Sequence, residues 1–261
     1  MPEYLHVAII GAGNLAWHLA PALDNCGYAV KEVYSRDRKK ANALVKRLYQ
    51  AVPAGDLDFS DSNSRLFIVC IPDDAIEEVV KEIVLPDEHA ILIHTSGSIP
   101  IQALEYAATQ HVGVFYPLQT FSKSRKANFS EIPVLIEASD LSTEEILIRI
   151  AKSISKNVKR VSSTNRKAIH VAAVFACNFT NHMITLSKAI LDDEGLDFDL
   201  LKPLITETIN KSLEIGPGNA QTGPARREDF QIMDAHFDYL EEPAVQEIYR
   251  IISQNILERY S

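Results

Sequence analysis

His6-Val7-Ala8-Ile9-Ile10-Gly11-Ala12-Gly13-Asn14-Leu15-Ala16 is an apolar run that stops at a glycine and resumes with helical spacing. The run is short and unbroken, as in a parallel strand buried on both faces. The helical pattern continues from Asn14 to Cys26 and stops at Gly27, a natural C-terminal cap. At the junction, Gly11-Ala12-Gly13-Asn14-Leu15-Ala16 fits G-x-G-x-x-G/A. In that pattern Gly11 allows a tight turn, Gly13 lets the backbone approach a pyrophosphate, and small Ala16 permits close packing of helix on strand. Asn14 and Leu15 begin the helix, whose free N–H groups and positive dipole end suit phosphate oxygens. Six residues alone are a weak signal. Their place inside a strand–turn–helix unit makes them a dinucleotide signature.

The second strand of such a unit identifies which dinucleotide. It reads from Tyr28 to Tyr34 and ends in Tyr34-Ser35-Arg36-Asp37-Arg38-Lys39-Lys40. An NAD site has a carboxylate at that strand end to hold the ribose 2′-hydroxyl. Here a hydroxyl and a guanidinium stand instead, and Arg binds phosphate through two parallel hydrogen bonds. Ser35 and Arg36 are therefore expected to hold the 2′-phosphate of NADP(H), with one of Arg38, Lys39 and Lys40 assisting. This basic cluster is conspicuous in a chain of net charge −9.

Strands and helices go on alternating. Leu66 to Ile71, Ala90 to His94, Val112 to Tyr116, Pro133 to Glu137 and Val158 to Val161 read as strands. Helices are expected from Pro72 through Ile83, after Pro100, and after a capping box at Ser142-Thr143-Glu144-Glu145. From Asn165 the period is helical to the end, beginning with a helix from Asn165 to Asp192 that is apolar nearly all round in its first half. The reading is an α/β fold: a Rossmann-type doubly wound parallel sheet over 1–162, followed by an all-α domain over 163–261.

With 261 residues, 46% of them hydrophobic and 23% charged, the composition is that of a globular protein. No run approaches the roughly 20 apolar residues of a membrane span, and the N-terminus has no signal-peptide pattern. The expectation is a cytoplasmic protein with no membrane and no nucleic-acid partner, given its acidic balance. Cys26, Cys70 and Cys177 lack zinc or redox spacing and are expected to be reduced core thiols. No metal site has convincing spacing.

Taken together, these residues resemble the bacterial NADP oxidoreductases that join a Rossmann-like N-terminal domain to a helical C-terminal domain of unknown function. Those proteins are relatives of pyrroline-5-carboxylate reductase, the β-hydroxyacid dehydrogenases and the deazaflavin-dependent NADP oxidoreductases. The resemblance spans the chain. It rests on Gly11 to Ala16, Tyr34-Ser35-Arg36, Cys70-Ile71-Pro72-Asp73, His94-Thr95-Ser96-Gly97-Ser98, Phe115 to Phe121, His170 to Asn178, and Thr222-Gly223-Pro224 with Arg227 and Asp229. It implies a helical domain of the 6-phosphogluconate dehydrogenase C-terminal type, through which relatives form homodimers. It also implies Ile71 and Pro72 beside the adenosine, Thr95, Ser96 and Gly97 near the nicotinamide, and Tyr116 to Gln119 in a substrate-shaping place. β-Hydroxyacid dehydrogenases carry Lys and, three residues on, Asn on the first helix after the sheet. Here His170 follows Lys167, which departs from that pattern.

Hydride transfer asks the protein for positioning and one group that gives or takes a proton. His170 titrates nearest neutrality and is the leading candidate. At about 100° per residue it shares a stripe with Asn181, with Asn178 beside it. Gln119, and Arg227 as an anion ligand, complete the expected site with a small-molecule substrate in a cleft between the domains. The expected function is reduction or oxidation of a small carbonyl or imine compound. A non-catalytic NADP sensor and a deazaflavin–NADP hydride exchanger remain as alternatives.

Overall fold

The computed structural model describes residues 5–260. Its strands are β1 (Val7–Ile10), β2 (Val30–Tyr34), β3 (Val52–Pro53), β4 (Leu66–Val69), β5 (Ile91–His94), β6 (Val112–Pro117), β7 (Val134–Ala138) and β8 (Val158–Arg160). They form one sheet in the order β3-β2-β1-β4-β5-β6-β7-β8. Neighbours are parallel except β6 and β7, which pair antiparallel with Val114 opposite Glu137 and Phe115 opposite Ile136. The chain order reverses between β1 and β4, which makes their carboxyl ends a topological switch point, where open α/β sheets bind ligands.

Strand alternation divides the core. Val7 and Ile9 of β1 face one apolar cluster, completed by Leu19 and Leu23 of α1 (Asn14–Asn25). Leu44 of α2 (Arg38–Val45) joins that cluster. Ala8 and Ile10 face the other, with Ile76 and Val80 of α3 (Ile76–Glu82). Burial on both faces is why β1, β4 and β5 read as unbroken apolar runs. α4 (Leu141–Ile154) returns Leu147, Ile150 and Ala151 to the first cluster.

Several local expectations are corrected. α4 is capped by Asp140, whose carboxylate accepts from the Thr143 N–H at 2.9 Å, so Ser142 and Thr143 already lie inside the helix. The helix expected after Pro100 is one 3-10 turn, Ile101–Leu104, which suffices to bury Ala103 and Leu104. The edge pair Val52–Pro53 is too short to leave a sequence pattern. Of the three cysteines, only Cys70 is a core thiol, and its burial pushes its pKa up to about 12. Cys26 and Cys177 are exposed.

The later helices are α5 (Ser163–Ala173), a π-helical segment Val174–Phe179, α6 (Thr180–Asp193), α7 (Lys202–Ile215), α8 (Pro217–Ala220), α9 (Phe230–Tyr239) and α10 (Pro243–Tyr260). The chain divides into two compact units, Met1–Cys177 and Asn178–Ser261. The apolar pattern of the long first helix predicts burial all round, yet Arg166 is the only buried residue described from Ser163 to Asp193. Ser163–Asp193 is also long and apolar enough to cross a membrane by length and composition. Its first turns instead bond to the sheet unit through Ser163 and Arg166.

That attachment is a buried polar cluster at the end of β5. Arg166, with no exposed surface, pairs with Glu137 and donates to the Ile99 carbonyl and the Ser163 hydroxyl. His94 lies next to it, fully buried. Its Nδ1 accepts from the Ser96 N–H at 3.1 Å, which leaves Nε2–H to donate to the Pro100 carbonyl at 3.3 Å. Burial first, and the Arg166 charge second, lower the His94 pKa from 6.5 to about 4. The unfolded chain therefore binds a proton that folded His94 refuses, and this part of the stability is complete above pH 6.5 and falls as pH drops toward 4. Over that window it amounts to about 3 kcal/mol. Urea unfolding of His94→Gln should show a shallower loss between pH 6.5 and 4 than the wild type; equal slopes would refute the assignment.

Candidate active site

Gly11 has φ +113°, and a Cβ there would stand 2.2 Å from the Cys70 carbonyl oxygen of the neighbouring strand end. Glycine is thus required by the crossing of two backbones. Gly13 differs. It is the N-cap of α1, with φ −76°, and the nearest atom to a built Cβ is 4.0 Å away. Packing within the chain does not demand glycine at this position, so the empty space beside the helix N-terminus is what the residue preserves. That is the space a pyrophosphate needs.

A groove of about 360 Å³ opens there, lined by Gly11, Ala12, Gly13, Ser35, Arg36 and Lys40 on one side. Ile71, Pro72, Ala75 and Val79 supply apolar lining, and the carboxylates of Asp37, Glu78 and Glu82 lie along the same groove. The acidic groups near β2 are committed elsewhere. Glu32 accepts from the hydroxyls of Ser62 and Ser64. Asp37 caps α2 through the N–H groups of Lys39 and Lys40. Arg36 has no such engagement among the described residues, and Lys40 is the downstream cation that reaches the groove wall. The donor set fits a 2′-phosphate.

A second constellation lies beyond β5. The Tyr116 hydroxyl, at the end of β6, is 2.9 Å from Nδ1 of His170 on α5, with the rings edge to face. Gly97 presses on both. A Cβ there would come within 2.5 Å of His170 Nδ1 and 2.7 Å of Tyr116 Cζ. Burial raises the Tyr116 pKa, the Asp73 carboxylate raises it further, and Arg166 opposes them. The phenol thus stays protonated through neutral pH, able to donate. Thr95 and Ser96 turn their hydroxyls inward, Thr95 to the Val69 carbonyl and Ser96 to the N–H groups of Ser98 and Ile99.

The structure brings His170 and Gly97 together and adds Tyr116, which the sequence reading placed only in a substrate-shaping segment. Gln119 is not part of this cluster: its side-chain Oε1 accepts from the Thr120 N–H, and it lines a separate groove with Phe121 and Arg125. Asn178 belongs to the helical unit. The stripe expected to unite it and Asn181 with His170 assumed a regular α-helix. The π segment Val174–Phe179 breaks that regular pitch. Arg227 ends a 3-10 turn, Ala225–Arg227, in the helical unit, and Glu228 comes next at φ +57°. Among the described residues there is no metal-binding cluster.

A family model described as "NADP oxidoreductase coenzyme F420-dependent" matches residues 6–97, and one for a domain of unknown function, DUF2520, matches residues 132–256. A Bacteroides fragilis protein named "putative NADP oxidoreductase" is 42% identical over 97% of this chain and 98% of its own, with a TM-score of 0.90. This chain belongs to the NADP oxidoreductase family. More distant structures share the fold. A Myxococcus stipitatus imine reductase in complex with NADP+ is 16% identical, with a TM-score of 0.70 over 98% of this chain and 99% of its own. An Aspergillus terreus reductive aminase in complex with NADPH and ethyl levulinate is 14% identical, with a TM-score of 0.70 over 99% and 95%. No curated protein matches.

NADP is the cofactor of the family, and Gly11–Gly13, Ser35, Arg36 and Lys40 are the residues that would hold it. Arg36→Ala should weaken NADPH binding at least tenfold, about 1.4 kcal/mol, and leave NADH binding nearly unchanged. Calorimetry with both dinucleotides checks this; a wild type that binds the two equally would refute it.

Proposed function

We propose that this protein transfers hydride between NADP(H) and a small carbonyl or imine compound, with Tyr116 and His170 as its proton-handling pair. The observation that carries the reading is the 2.9 Å contact between the Tyr116 hydroxyl and His170 Nδ1, packed against Gly97 at the carboxyl edge of the sheet. The imine reductase and reductive aminase that share the fold support a C=N or C=O substrate.

NADP(H), when bound, would supply the hydride that reaches the substrate carbon. Charge then develops on the substrate oxygen or nitrogen. The Tyr116 O–H bond breaks to protonate that atom, and Nδ1–H of His170 returns a proton to the phenolate as Nε2 takes one up from solvent, so the imidazole is never left an anion. Burial of Tyr116 keeps the phenol protonated until charge develops on the substrate, and then drives the proton's return to the phenolate.

His170→Ala should cut turnover by on the order of 100- to 10,000-fold, and Tyr116→Phe by a comparable factor, with NADPH affinity almost intact. NADPH consumption is followed by absorbance against a panel of aldehydes, ketones and cyclic imines. A wild type that consumes NADPH with no member of the panel counts against the function, and variants as fast as the wild type count against the pair.

The helical unit supports a homodimer. Among the described residues, α6, α7, α8 and α9 contain no buried one. Leu200, Leu204, Leu213 and Phe230 are more than half exposed. Apolar surface on this scale marks a protein interface, and a second copy supplies matching helices. Light scattering at micromolar concentration should give a particle of twice the 29.1 kDa chain mass, and Leu213→Asp should shift it toward the single chain. A wild-type particle of 29.1 kDa would refute the dimer.

A further inference from the structure

The segment after β6 folds back across the sheet edge onto α1. His18 Nε2 donates to the Ser122 carbonyl at 2.9 Å, and the Phe121 ring lies between the His18 and Phe129 rings, at 5.8 Å from each. The next residue, Lys123, donates its ammonium to the carbonyl of Ala12 at 3.1 Å, and stands 4.8 Å from the Trp17 ring centre. Ala12 lies between the two glycines of the phosphate turn, 111 residues earlier in the chain.

The position is electrostatically peculiar. Gly13 is the N-cap of α1, so the ammonium sits at the positive end of a helix dipole, where cations are disfavoured. No carboxylate pairs with Lys123 among the described residues. Trp17 already has a cation on its ring, the Arg47 guanidinium at 4.1 Å, which also donates to the Trp17 carbonyl. Lys123 is therefore not needed to cover the indole. The exposed ammonium, held by one carbonyl and the Trp17 face at a positive helix end, has no anionic partner among the described residues and is placed to take one from a ligand. It uses one of three N–H donors on Ala12 and keeps two.

We infer that Lys123 is a ligand of the dinucleotide's pyrophosphate, brought to the glycine turn from a segment outside the nucleotide-binding motif. This rests on the family's use of NADP and adds a residue beyond it. Arg36 discriminates between cofactors, whereas Lys123 meets the part that NADPH and NADH share.

Calorimetry on the full chain tests this with NADPH, NADH and inorganic pyrophosphate as the three probes. Lys123→Met keeps an unbranched apolar chain against Trp17 and removes the charge. It should weaken binding of both dinucleotides by the same factor, on the order of tenfold, with their ratio unchanged, and weaken pyrophosphate likewise. Lys123→Arg should restore most of the affinity. Raising ionic strength should narrow the gap between Lys123→Met and the wild type, as screening predicts. Unchanged dinucleotide affinities in Lys123→Met, with or without a lower Tm of the free protein, would make Lys123 a strut for α1 and overturn the inference. A loss confined to NADPH would also overturn it, by moving Lys123 to the 2′-phosphate. A wild type that binds neither dinucleotide would refute the cofactor reading itself.

Discussion

Everything near the Tyr116–His170 pair hangs on the burial of one charge. Arg166 has no exposed surface, and its guanidinium joins three pieces of chain distant in sequence: Glu137 on β7, the Ile99 carbonyl after β5, and Ser163 at the start of α5. Its Nε has no partner among the described residues. A buried ion pair gains little over an apolar contact, because desolvation of two ions offsets their attraction. Losing one member alone is another matter, since a buried charge would remain uncompensated. The pair therefore works as a position constraint. α5 starts where Glu137 is, His94 is kept neutral beside it, and His170 is delivered one turn farther along.

The two ends of the cofactor site are built from different physics, and this decides what could be read in advance. The adenosine and phosphate end is local. A strand, a turn with obligate φ at Gly11, a helix N-terminus and the cations after β2 all lie close together along the chain, so their pattern survives in the sequence. Even there the reason for Gly11 was only half legible. The turn was readable, but the approach of the Cys70 carbonyl belongs to a strand far downstream.

The Tyr116–His170 end is assembled by tertiary contact. His170 stood out because histidine on a helix is chemically conspicuous, but nothing in the chain around Tyr116 announces a partner 54 residues downstream. Arg166, between Asn165 and Lys167, carries no mark of burial in its local sequence. Its burial comes from the antiparallel β7, which presents Glu137, and the direction of β7 has no local signature. Asp140 displaced Ser142 as a cap because it precedes a helix that begins earlier than the apolar pattern does. The π segment escaped for a simpler reason: angular bookkeeping on a sequence assumes a constant turn, and one extra residue in a turn leaves composition unchanged.

The antiparallel pairing of β7 with β6 also sets up a molecular vernier. Glu137 is opposite Val114, and Tyr116 lies two residues farther along β6 on the same face. Two strand residues advance about 6.7 Å. Arg166 grips at the first level and His170 at the second, and four helical residues advance about 6.0 Å. The two spacings nearly coincide. The interval from 166 to 170 is thus tied at both ends, and the π segment begins only after the second contact has been made.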